Sequence, residues 1–134
     1  MLAIDAAMYL HSQGIVTFDE DGAEGNAFIE ALPSTPDLAV GIFSAGGAAP
    51  EVRNALDRPA LMFVIRGGSD PRAVQMLARQ IWTAWHGLTK TELAPGGVYV
   101  GLARARESEP VAQGPDESGR HRYSVTIDFI TRRP

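Results

Sequence analysis

Apolar positions recur at helical spacing twice in the chain. Leu2, Ala6, Tyr9, Leu10 and Gln13 share one face, with Gly14 as a stop, which predicts a helix over residues 2–13. Val74, Leu77, Ala78, Ile81, Trp82 and Trp85 repeat every three or four residues, and Gly87 follows, which predicts a second helix over 71–86. Ser69 or Asp70 is placed to cap it, and Pro71 suits its first turn. Elsewhere the pattern is that of strands. The segment 26–32 is a short extended candidate ending at Pro33, and 34–37 is a turn in which Pro36 keeps Thr35 out of the helical region. The mostly apolar runs 38–44 and 60–66 have strand length and composition, and the first is expected to be buried on both faces. Beyond the second helix, strands are predicted over 89–93, 98–106 and 107–113, and a closing strand over 121–132. In that last strand His121, Tyr123, Val125, Ile127 and Phe129 alternate with Arg122, Ser124, Thr126 and Asp128.

This order of elements predicts an α+β domain: a mainly antiparallel sheet with two helices packed on one face, which buries the apolar strand face and both helix stripes together. A length of 134 residues fits a single domain over 1–134 with a core of its own. The 15–25 segment reads as a polar loop, and 14 glycines and 9 prolines argue for many short elements. The connection 45–59 is long for a compact domain, and loops of that length tend to be functional or disordered.

Charge narrows the partners. A net charge of −4 opposes binding to nucleic acid through phosphates, and the basic pairs Arg104/Arg106 and Arg120/Arg122 are interleaved with acids, so they read as solvated strand faces. The absence of cysteine removes disulfides, thiolate metal sites and a cysteine nucleophile, and fits a reducing cytosol. The N-terminal segment has no basic region ahead of its spaced apolar residues and reads as a helix, not a signal peptide. No apolar run reaches the ~18 residues of a membrane span.

Reactive chemistry is sparse. His11, His86 and His121 show no metal-ligand spacing, and the first two lie near helix ends, where a histidine favours the helix dipole. The acidic stretch 18–22 lacks the spacing of a calcium loop, and 115–119 reads as a hairpin turn with Gly119 at positive φ. Trp82 and Trp85 are expected to face the core or a subunit contact. The strand-to-helix turn Gly67-Gly68-Ser69-Asp70 is the one place where an anion cradle can be imagined, though it lacks a P-loop lysine and brings the charge of Asp70. From the residues alone, a small ligand-binding or enzymatic α+β domain built on that turn stays open beside a tight turn with a helix cap.

Five stretches in order resemble a family of small phage minor capsid or tail-terminator (tail-completion) proteins found in siphophages of actinobacteria. They are MLAIDAAMYLHSQG at the start, ALPSTPDLAVGIFSAGG, DRPALMFVIRGGSDPRA, IWTAWHGL, and EPVAQGPDESGRHRYSVTIDFITRRP at the end. The resemblance implies a structural virion protein of the tail or neck, assembled in the host cytoplasm, with no catalytic residue, cofactor or metal. It implies a homo-hexameric ring that caps the tail tube, ends its polymerisation and joins the tail to the head connector. The implied partners are further copies of the chain, the tail tube protein and a head-tail connector, with genome DNA passing through the lumen without specific binding. A head-completion or neck connector subunit is the neighbouring alternative. For the contacts of a ring, the expected surfaces are the 45–58 loop, with Glu51, Arg53, Asp57 and Arg58, and the hairpin tip at Asp116, Glu117 and Arg120.

Overall fold

The computed structural model describes residues 1–21, 24–50 and 56–132. Its elements run α1 (Leu2–Ser12), β1 (Ala27–Ile29), β2 (Ala39–Ser44), β3 (Ala60–Arg66), α2 (Pro71–Trp85), β4 (Thr89–Glu92), β5 (Tyr99–Ala105), β6 (Val111–Pro115) and β7 (His121–Thr131). The seven strands form one sheet in the order β1-β2-β3-β7-β5-β4, with β6 also paired to β7. Every pairing is antiparallel except β1 with β2. This is the α+β architecture expected from the order of periodic segments.

The eleven residues of β7 organise the sheet. Its whole length cannot be matched by one neighbour on each side. One edge pairs with β3 over Arg122–Asp128, while the other meets β6 near its start and β5 near its end. Alternation then sorts the side chains. Val125, Ile127 and Phe129 face the same way as their partners Phe63, Leu61 and Ala103, and all are buried. Both helices cover this face. Trp85 of α2, fully buried, lies 5.2 Å from the ring of Tyr9 in α1, 5.8 Å from Phe63 in β3 and 5.2 Å from Phe129 in β7. Among the described residues its indole Nε1 has no hydrogen-bond partner, a local cost set against three aromatic contacts.

The start of α2 and the end of β3 follow from local chemistry. The Asp70 carboxylate accepts a hydrogen bond from the Arg72 N–H at 3.0 Å, so Asp70 is the cap of α2, with Pro71 in its first turn. The sequence pattern left Ser69 and Asp70 equivalent. A Cβ on Gly67 would run into Val74, so the glycine is required where the end of β3 passes beneath α2.

Two strands differ from the pattern. β1 is three residues long, not the seven of 26–32, because Glu30 turns to positive φ and its carboxylate folds back to accept the Ser44 N–H at 2.8 Å. The predicted strand 107–113 begins only at Val111. Residues 106–110 bend around the α2 helix, where Trp82 donates its Nε1–H to the Glu107 carbonyl at 2.9 Å. That anchor joins positions 25 apart in sequence and leaves no local signature.

Candidate assembly surfaces

On the face of the sheet away from the helices, Arg66 is buried beneath the 36–37 turn and Ser124 beside Gln113, while the β5 side is more open. Met62, Val64, Thr126 and Ile130 are half-buried there, and Arg104 and Arg106 are exposed. Cross-strand register sets Arg104 opposite Asp128, but the Asp128 carboxylate is held by Arg106, at 2.7 Å from its NH2 group and 3.3 Å from Nε. That bond, with burial opposing it, raises the Arg106 guanidinium above its ordinary pKa. Arg104 and Arg106 thus lie on a solvated face as expected, and only Arg106 is paired with the carboxylate of Asp128.

Beside them lies part of the long connection. Glu51 and Arg53 fall outside the described residues. Its described ends are tied to the sheet: the N–H of Asp57 donates to the Thr131 carbonyl at 3.0 Å, and the N–H of Thr131 donates back at 2.9 Å. Ala48 N–H donates to the Arg58 carbonyl at 3.0 Å, closing the loop's mouth. Asp57 and Arg58 are therefore placed as a continuation of the sheet beyond the start of β3. Arg58 is exposed and lines, with Arg104, Asp128, Leu102 and Ile130, a cleft of about 310 Å³. Arg104 was not among the residues the sequence singled out for contact. Its signal was present in the two-residue spacing of Arg104 and Arg106, but the β5–β7 register that brings Asp128 and Arg58 to them is nonlocal.

The hairpin tip sits at the other end of β7. Gly119 takes φ +80, as the turn requires, and Asp116 holds the turn together. Its carboxylate accepts from the N–H groups of Ser118 and Arg120, each at 2.9 Å, and from the Arg120 Nε at 2.9 Å. Those bonds, the Arg120 N–H first, hold the Asp116 carboxyl below its usual range despite partial burial. Arg120 also donates to the Ser34 carbonyl at 2.7 Å and pairs with Asp37 at 3.5 Å, which docks the tip on the 34–37 turn. So Asp116 and Arg120 are engaged within their own chain, while Glu117 is exposed at the tip. The structure does not bring the two predicted surfaces together; it puts them at opposite ends of one strand.

The other candidate positions serve local structure. His11 and His86 accept at Nδ1, from the N–H of Phe18 at 3.1 Å and of Ala105 at 3.0 Å. These bonds tie the ends of α1 and α2 to the neighbouring loop and strand. Asp19 accepts from its own loop, from the N–H of Asp21 at 3.0 Å and of Glu24 at 3.1 Å. At the glycine turn, Asp70 caps α2 and forms a 3.1 Å ion pair with Arg72, while Arg66 donates to the carbonyls of Asp37 and Pro36. Burial, then repulsion from Arg120, lowers the Arg66 pKa. Among the described residues no group of three or more histidines and carboxylates is set to hold a metal ion, and no helix is long and apolar enough to cross a membrane.

No curated protein and no solved structure matches the chain. A family model does: that of the bacteriophage tail terminator protein, over residues 9–133. The match spans α2, all seven strands and the last four residues of α1, so the chain belongs to the bacteriophage tail terminator protein family.

Proposed function

We propose that this protein assembles as a homo-hexameric ring on the last ring of the tail tube, ends tube polymerisation and presents the surface that joins the tail to the head connector. The observation that carries the reading is the family match over residues 9–133, which makes the chain a structural component of a phage tail. Its work is done by shape and by contacts between protein surfaces, with no catalytic group. The Nδ1 atoms of His11 and His86 and the Asp70 carboxylate support this, since each is engaged in a loop closure or a helix cap. The expected contact surfaces are the 45–58 loop and the hairpin tip, where Arg58 and Glu117 are exposed. A head-to-tail contact between such unlike surfaces closes into a ring when the rotation per subunit allows it. Assembly takes place in the host cytoplasm from a single folded domain, and the genome passes through the lumen without being bound.

The test is assembly with the tail tube protein. Purified protein is mixed with polymerising tube protein and the product imaged by electron microscopy. Tubes of limited length with a sixfold ring at one end are the expected result. Tubes that grow unchecked and uncapped at saturating protein would refute the proposal.

A further inference from the structure

We infer that the Glu117 carboxylate at the hairpin tip of one copy seats in the Arg58–Arg104 cleft of the next copy. This rests on the ring assembly proposed above and names the contact that builds it. The cleft is a cation site in an acidic chain. Arg58, Arg104 and Arg106 stand around the single carboxylate of Asp128, and that carboxylate is already held by Arg106. Arg58 and Arg104 have no ion-pair partner among the described residues. Asp57 does not supply one to the cleft by position, because successive residues of an extended segment point to opposite sides. The apolar side chains of Leu102 and Ile130 in its lining lower the local dielectric, so an arriving carboxylate gains more there than on an open surface.

The occupant follows from charge and rigidity. With a net charge of −4 the chain has carboxylates to offer, and Glu117 is an exposed one on a tip that is already fixed. Asp116 and Arg120 lock the turn and dock it on Ser34, so little freedom is lost when Glu117 is engaged. The chain cannot fill its own cleft. The tip precedes His121 and the cleft faces Asp128, which puts them roughly 20 Å apart along an extended strand. An acidic knob and a basic socket at opposite ends of β7 make a heterologous, head-to-tail contact.

A charge exchange tests it. Glu117→Arg and the double variant Arg58→Glu/Arg104→Glu are purified, their folding checked by circular dichroism, and their self-association measured by sedimentation at low ionic strength. Each alone is expected to lose self-association at least tenfold against the parent, through like charges at every contact. Mixed in equal amounts they are expected to regain it, since each reversed surface then meets its opposite. Association of Glu117→Arg equal to the parent's overturns the inference, and if Arg58→Glu/Arg104→Glu alone is defective, an acid other than Glu117 is the occupant. A mixture that stays dissociated also overturns it. If Glu117→Arg still caps tubes as the parent does, the contact is wrong and the terminator role stands; if the parent itself neither associates nor caps tubes, the role falls first.

Discussion

Asp116 shows how one carboxylate can shape a turn. Three donors converge on it, two backbone N–H groups and the Arg120 side chain, and they favour its charged form. Its pKa in the folded protein is therefore below the unfolded value of about 3.9. A group lowered in this way contributes stability that is present above the unfolded pKa and is lost as pH falls through the folded one. On acidification, the amide resonances of Ser118 and Arg120 are expected to stay fixed until below pH ~4 and then shift together as the tip loosens. In Asp116→Asn the same resonances should be displaced at neutral pH and insensitive to acid. An unchanged acid transition in that variant would show that another group controls the tip. The turn itself was legible, because Asp116 and Gly119 suit a tight hairpin. The staple from Arg120 to Ser34 was not, because 86 residues separate its ends.

At the scale of elements, period was the reliable signal and register the missing one. β3 begins with its apolar run and β7 with its alternation, and α2 starts at its proline and ends within a residue of the pattern. These segments carry enough buried positions for one face to be unambiguous. β1 and β6 do not: β6 is mostly exposed, and β1 is ended by the φ of Glu30. The facing of β7 can be tested by neighbours in the chain. Phe129 is buried against Trp85, so Phe129→Asp places an unpaired charge in the core and is expected to cost on the order of 4 kcal/mol or more. Asp128 has a side chain 37% exposed on the opposite face, and Asp128→Ala is expected to cost less than about 1 kcal/mol. Thermal or urea unfolding reads both. Equal losses would mean that the sheet's two faces are assigned wrongly.

For the whole molecule the charge is distributed, not simply acidic. A chain of −4 concentrates three arginines around the Asp128 cleft and leaves exposed the carboxylates of Glu117, Glu20, Asp21 and Glu24. If neighbouring copies cover the arginine cleft, what a ring presents to its lumen and surroundings is more acidic than a lone subunit's open face. DNA then meets no array of cations from which to release its condensed counterions, and it can pass without sticking. This is most severely tested at low salt, where phosphate contacts are strongest. Labelled duplex DNA titrated with the protein at ~50 mM salt is expected to show no anisotropy change up to about 100 µM, at the weak edge of ordinary non-specific binding. The variant Glu117→Arg, with its cleft left open and a further cation at the tip, should bind more than the parent. Micromolar binding by the parent that weakens steeply with added salt would mean that the lumen or the arginine face holds DNA, and the picture of an inert acidic channel would have to be given up.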